Sequence, residues 1–279
     1  MSVLQTSRRT TRVLLWTALT TALIVYGFPF LYLILTSFKT PQNTIAVPPS
    51  LFPSPWTLEN YVIALAEEGV TGSILNSVLT AAISTVLSMI LAVPAAYAIT
   101  RYRTRIGQFF VIAVLITRMV PAIVVGAPLM STMNSLGISD TQLGLALAHT
   151  TISLPLSIWL MASFFEVVPN ELEEAAKMDG ASRLRALRWV ILPIVSGGLA
   201  VTAIFAFLAS WNEFLFALLL TSVNAQTTPI VIANFQTQFG LDWGSMTALS
   251  TLYSVPVILL TLALQRHIVA GLTLGAVKG

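Results

Sequence analysis

Groups able to do acid–base, nucleophilic or metal chemistry are scarce in this chain and poorly placed for it. His149 and His267 are its only histidines, and it has no cysteine. Each histidine falls in or beside an apolar stretch, with no carboxylate or second histidine close in sequence. Neither a zinc site nor a Ser-His-Asp arrangement is expected, and no metal ligands are assigned. Acids do gather at Glu166, Glu171, Glu173, Glu174 and Asp179, but on one predicted exposed helix that lacks a histidine. No G-x-x-x-x-G-K-[ST] loop is present, so the chain has no P-loop with which to bind ATP. An intramembrane enzyme would need catalytic groups clustered at one depth, and a channel would need a pore loop or rings of like charge. Neither pattern occurs.

What remains are isolated charges inside apolar runs. Arg118 and Glu213, the latter beside Trp211 and Asn212, each interrupt a hydrophobic stretch. An unpaired charge at the bilayer centre costs roughly 2.5–3.5 kcal/mol, so such a residue faces a bundle interior, a pathway or a partner. Arg118, Trp211, Asn212 and Glu213 are therefore candidates for lining a translocation path. Snorkelling to an interface, or a structural pairing, is the alternative for Arg118, and a subunit contact is the alternative for Glu213.

The elements that would hold these residues are membrane spans. Of the 279 residues, 56% are hydrophobic and 9% charged, and the mean hydropathy is +0.85. A soluble domain carries about 25% charged residues, so lipid is the solvent that this composition suits. Crossing it takes roughly 20 apolar residues. Such stretches run over 13–36, 74–100, 109–133, 143–165, 190–221 and 245–265, predicting an all-α, polytopic membrane protein with six transmembrane helices. The fifth stretch is too long for one simple span. The first reads as a retained span rather than a cleaved leader, because its apolar core is too long and no small-residue cleavage site precedes a soluble domain. Pro29, Pro94, Pro121, Pro128, Pro155, Pro193 and Pro256 lie in or near these stretches. They either kink the helices or open a central path.

Basic residues set the orientation. Apart from Lys39 and Arg118, every Lys and Arg lies before the first stretch, after the second, between the fourth and fifth, or after the sixth. Both termini and the loop around Lys177 are therefore expected in the cytoplasm. The small net charge of +3, in short clusters between apolar runs, fits membrane orientation and gives no reason to expect nucleic acid. On the other side, the Pro-rich segment 40–72 reads as a stiff connector followed by a short amphipathic segment. Trp56 and Tyr61 are its candidate interfacial anchors. The segment 222–244 reads as a polar loop.

The most informative segment follows the fourth stretch. Pro169 and Asn170 can start a helix, and Glu171, Glu173 and Glu174 suit its positive end. Leu172, Ala175, Ala176 and Met178 give it an apolar side, Asp179-Gly180 permits a sharp turn, and Arg183, Arg185 and Arg188 open a second helix. A short helix with small residues at its tip lets another protein's groove close around the backbone.

These residues carry a family resemblance. Glu174-Ala175-Ala176, Asp179-Gly180-Ala181 and Leu192-Pro193 are similar to the EAA loop of ABC importer permeases of the type I fold. The isoleucine usual two positions before the Leu-Pro is Val190 here. Trp211-Asn212-Glu213-Phe214 and the C-terminal segment 271–279 resemble the shorter, six-span permease of maltose- and trehalose-type carbohydrate importers. The resemblance runs from about residue 10 onward. It implies an arm, first helix and external loop over 1–70, a permease core over 71–269 with a coupling loop at 166–190, and a cytoplasmic tail over 270–279.

The resemblance also implies partners: a second homologous permease, two ATPase subunits that hold ATP and Mg, an external solute-binding protein, lipid, and a sugar substrate. A polyol or glycerophosphodiester is the competing solute class. This chain would itself hold no cofactor and catalyse nothing. Coupling to the ATPase would fall to Glu173, Glu174, Ala175, Ala176, Asp179, Gly180, Ala181 and Arg183. Asn234, Phe235, Gln236 and Gln238 would meet the binding protein. Gly275 and Lys278 would meet the ATPase, unless the tail simply frays.

Overall fold

The computed structural model describes residues 2–102, 105–237 and 240–276, which are helical almost throughout. The chain divides into two compact units. One comprises Gly69–Val231 with Val255–Gly279, the other Met1–Glu68 with Ile232–Ser254.

In the first of these, α4 (Val70–Tyr102), α7 (Gln142–Glu166) and α11 (Ser196–Trp211) pack on one another. The contact is made by small and hydroxylated side chains. In α4, Ser73, Ser77, Ala81, Ser84, Ser88, Ala92 and Ala96 recur every third or fourth position and are buried, and His149, Ser153 and Ser157 do the same in α7. Ser88 Oγ lies 2.6 Å from Ser153 Oγ across that seam. The outward face of α4 carries exposed Leu75, Val86, Ile90 and Leu91. This is the inverse of a water-soluble protein. Lipid gives no hydrophobic drive between helices, so close approach of small residues and interhelical hydrogen bonds hold them together.

Helices α1 (Ser2–Ser37), α4, α7 and α14 (Trp243–Ala276) contain uninterrupted stretches long and apolar enough to cross a membrane. Two bent helix pairs raise the number from 4 to 6 if each counts as one span. The third predicted stretch is such a pair. Helices α5 (Arg105–Thr117) and α6 (Ala122–Ser135) meet at 89°, because Pro121 has no N–H to give and pushes Val120 out of the helical region.

The fifth stretch is broken twice. A continuous segment comprises α9 (Arg183–Ala186), a π-helical turn (Leu187–Ile191) and α10 (Leu192–Ile194). It bends by 84° into α11 at Val195. The wide turn lets the Leu192 N–H reach the Leu187 carbonyl and absorbs the misfit of the Pro193 ring. The chain breaks again after Trp211 and resumes as α12 (Leu215–Leu220). Two apolar clusters brace this unit. One joins Tyr97, Phe165, Leu187 and Ile191, and the other Met133, Leu145, Phe216 and Leu220.

In the second unit, α1 is exposed along most of its length and buried only near its C-terminal end. The predicted connector contains the single turn α2 (Pro41–Thr44) and the short helix α3 (Glu59–Ala66). Asn60 donates to the carbonyls of Ser37 and Lys39 at 3.0 and 2.7 Å. The buried Lys39 donates to the Ser50 carbonyl at 2.6 Å. Tyr61 binds Ser37 through its hydroxyl at 2.7 Å, and its ring and that of Trp56 lie 5.3 and 5.7 Å from Phe38. The segment read as a polar loop, which begins in the other unit, holds more structure than its composition suggests: α13 (Thr228–Asn234), whose first four residues belong to that other unit, and a two-stranded hairpin, β1 (Gln236–Thr237) with β2 (Gly240–Leu241).

Candidate functional site

Helix α8 (Asn170–Met178) begins after Pro169 and stops where the sequence predicts. Gly180 has φ +84°, the left-handed conformation that a Cβ disfavours. The Ala181 N–H bonds back to Ala176 O at 2.9 Å and the Gly180 N–H to Lys177 O at 3.0 Å, a Schellman ending that uses the last free carbonyls. Ser182 then caps α9 through the Arg185 N–H.

The two sides of α8 do different work. Glu173 is buried and faces the end of α4. Its carboxylate lies 3.1 Å from Arg101 Nε and 2.5 Å from Lys177 Nζ. Arg101 also donates to the Val168 carbonyl at 3.1 Å and to the Asn170 side chain. Burial works against the Glu173 charge, but the hydrogen bonds from Lys177 and Tyr97 and the charges of Lys177 and Arg101 outweigh it. The carboxyl is held below the usual carboxylate range. On the other side Leu172, Glu174, Ala175, Met178, Asp179 and Gly180 are exposed, Met178 by 88%. Ala176 and Ala181 are half-buried. Arg183 is exposed and engages the Tyr102 hydroxyl and ring. Of the residues predicted for coupling, Glu173 is thus turned inward as an anchor, while Glu174, Ala175, Asp179 and Gly180 are presented outward.

A second locus lies at the breaks in the bent spans. Arg118 stands in the gap between α5 and α6 and lines a cleft of about 520 Å³ together with Pro121, Thr151, Ile152 and Phe216. Among the described residues it has no ion-pair partner. Trp211 and Glu213 are turned into the protein, and Asn212 is exposed. Glu213 accepts the Phe216 N–H at 3.0 Å and the Ala217 N–H at 3.1 Å, capping α12. It also lies 3.2 Å from His149 Nε2, and His149 Nδ1 is 2.7 Å from Ser210 Oγ. The carboxylate absent from the sequence neighbourhood of His149 is thus supplied from the break between α11 and α12. A lone histidine and a lone carboxylate in separate apolar stretches are signals that such a pairing could have been sought.

A third cluster escaped the sequence reading. The Asp140 carboxylate accepts backbone N–H groups from Ser222, Val223, Asn224 and Ala225 at 3.0–3.4 Å. Asn76 donates to the Asn224 and Gln226 carbonyls at 2.9 and 3.0 Å and accepts from Gln142 at 2.9 Å. Burial raises the Asp140 pKa, the amide donors lower it more, and the carboxyl ends far below the carboxylate range.

The remaining candidates are scattered. Asn234 ends α13 and is exposed, Phe235 is half-buried, and Gln236 pairs with Leu241 in the hairpin. Gln238 and Lys278 lie outside the described residues. Gly275 falls in the last turn of α14, so the segment read as a tail is helical as far as Ala276.

Residues 84–274 match the family described as the binding-protein-dependent transport system inner membrane component. The chain belongs to this family. It is 38% identical to the probable ABC transporter permease protein y4oR of Sinorhizobium fredii, with all of both chains covered. It is also 38% identical to the trehalose transport system permease protein SugB of Mycobacterium tuberculosis, over 95% of this chain and 97% of that one. Among solved structures, a bacterial ABC transporter importing the acidic polysaccharide alginate aligns with TM-score 0.78 at 22% identity, covering 93% of this chain and 97% of that one. The chain is a type I ABC importer permease of the carbohydrate subfamily, a multi-pass protein of the cytoplasmic membrane. Permeases of this family are the membrane component of the importer and not its ATP-hydrolysing subunit.

Proposed function

We propose that this permease forms half of the path for a di- or oligosaccharide of the trehalose or maltose kind. In this reading a second permease supplies the other half, two ATPase subunits holding ATP and Mg²⁺ drive it, and an external binding protein delivers the solute. The relatives named for trehalose and maltose transport support the solute class.

The observation that carries the coupling reading is the two-sided α8. One side is tied to α4 through Glu173 and Arg101, while Leu172, Glu174, Ala175 and Met178 are exposed on the other. A protein groove closing on that outer side would move α8 and the transmembrane helices as one body. In this reading Arg118, Trp211, Asn212 and Glu213 line the path; that Arg118 lines a cleft and that Asn212 is exposed support these two as the solute contacts.

The chain has no cysteine, so Ala175→Cys provides a single attachment point. In the active assembly a crosslinker at this position should capture an ATPase subunit, more strongly when ATP is bound. Capture of no nucleotide-hydrolysing neighbour would remove the docking reading. Uptake of labelled trehalose or maltose into vesicles with the cognate binding protein checks the solute class, and uptake of a polyol alone would replace it.

A further inference from the structure

The segment Arg183–Ile194 runs at 84° to Ser196–Trp211. With Ser196–Trp211 along the bilayer normal, a helix joined to it at that angle would run along the membrane surface. Its inner face is occupied, for Ala186, Leu187 and Ile191 are buried. The opposite sector is open: Leu184 is 73% and Trp189 71% exposed, and Arg185 and Arg188 are exposed with them. The Arg188 guanidinium lies over the Trp189 ring, 5.4 Å from its centre. Among the described residues, neither Arg185 nor Arg188 has an acidic partner.

We propose that Leu184, Arg185, Arg188 and Trp189 form a binding surface for anionic phospholipid headgroups. Three observations select that occupant. The sector combines an indole, an aliphatic side chain and two exposed guanidinium groups with no acidic partner among the described residues, the mixture suited to the boundary between headgroups and acyl chains. It is continuous with an apolar span, so lipid already lies where the sector begins. And the charge is complementary. The neighbouring outer side of α8 carries Glu171, Glu174 and Asp179 and would repel an anionic leaflet, whereas this sector carries only positive charge. The two faces of the loop thus divide between a protein partner and the membrane. This surface is independent of the solute and of the ATPase contact.

The test uses the full chain, purified in detergent with its bound subunits, and counts phosphatidylglycerol and phosphatidylcholine retained in native mass spectra. R185Q/R188Q should weaken phosphatidylglycerol retention by about fivefold per arginine, with phosphatidylcholine unchanged. R185K/R188K should retain phosphatidylglycerol close to the parent level, since attraction to the leaflet follows charge. Arg183→Gln should change little, because that guanidinium is engaged with Tyr102. Undiminished phosphatidylglycerol in R185Q/R188Q would overturn the assignment. So would loss of a co-purifying subunit from R185Q/R188Q with lipid retention intact, which would give the sector to a protein partner. Failure of the Ala175→Cys crosslink would leave the lipid result standing.

Discussion

His149 Nε2 and Glu213 Oε2 are 3.2 Å apart, and their side chains are 1% and 8% exposed. The pair links α7 to the break between α11 and α12. With a proton on Nε2 facing the carboxylate, neutral His149 has Nδ1 left to accept from the Ser210 hydroxyl. Glu213 meanwhile holds the first N–H groups of α12, including that of Phe216, whose ring lines the Arg118 cleft. Removing the Glu213 carboxylate leaves the buried Nε2–H and the α12 amides without their acceptor, at about 1–3 kcal/mol for each buried donor left unsatisfied. Glu213→Gln retains an acceptor for the α12 amides and should cost less than Glu213→Ala. Thermal unfolding in detergent measures both. Equal losses would mean that the cap contributes nothing.

The Arg101–Glu173 and Lys177–Glu173 contacts look alike but should differ in strength. Arg101 is nearly buried, whereas Lys177 is 37% exposed. An exposed i,i+4 pair contributes about 0.3–0.5 kcal/mol, while stranding Arg101 should cost about 3 kcal/mol. Glu173→Gln should therefore lower stability markedly and reduce coupled ATPase activity, and Lys177→Met should do little. A double-mutant cycle on each pair, read by melting temperature, checks this. The sign with pH is fixed. The Glu173 carboxyl is depressed, so its contribution is present above the ordinary glutamate range and disappears as the pH falls through its lowered value.

Much of this was legible beforehand, for stated physical reasons. Apolar runs of span length locate α1, α4, α7 and α14, and Pro169 and Asp179-Gly180 mark the start of α8 and the turn after it. The internal breaks were not legible in the same way. Hydropathy reports a residue's preference for lipid, not continuity of the backbone, so 109–133 reads as one stretch although the chain breaks before Pro121, and 190–221, though too long for one simple span, does not show where it breaks, at Val195 and at Asn212-Glu213. The inward faces were hidden for a related reason. Ser84, Ser88, Ser153 and Ser157 carry no strong hydropathy signal, yet they are where helices touch. Glu213 drew attention as a charge in lipid, and only the fold reveals His149 opposite it, 64 positions away by difference of their numbers. Asp140 gave no local signal at all, since its partners are residues 222–225.

Gly198 is fixed by contact rather than by backbone angle. A Cβ there would lie 2.4 Å from Phe164 Cγ and 2.6 and 2.8 Å from the adjoining ring carbons. The clash is with the root of the ring, so rotating its tip cannot relieve it. Gly198→Ala should cost about 1–3 kcal/mol through overpacking between α11 and α7. Phe164→Ala in the same chain should recover part of that loss despite the cavity it leaves. Melting temperatures of the two single variants and the double variant decide the matter, and strict additivity would show that the two positions do not press on each other.

Asp140 supplies the most localised prediction. It sits at φ +53°, a conformation that Asp and Asn tolerate better than most residues. Asp140→Asn therefore preserves the backbone while removing the charge that the N–H groups of 222–225 share and one of the two oxygens that accept them. Hydrogen bonds to a charged acceptor contribute more than neutral ones, so a loss of about 2 kcal/mol is expected. Asp140→Ala should lose more by adding backbone strain. Because the carboxyl lies far below the carboxylate range, its contribution is fully present above the unfolded aspartate value and is lost only in strong acid. The deficit of Asp140→Asn should accordingly be constant between about pH 5 and 8, where both folded and unfolded aspartate are ionised. Hydrogen exchange of the 222–225 amides reports the same event locally. Faster exchange there, with the α4 seam unchanged, is the expected pattern, and uniform acceleration across the chain would refute a local latch.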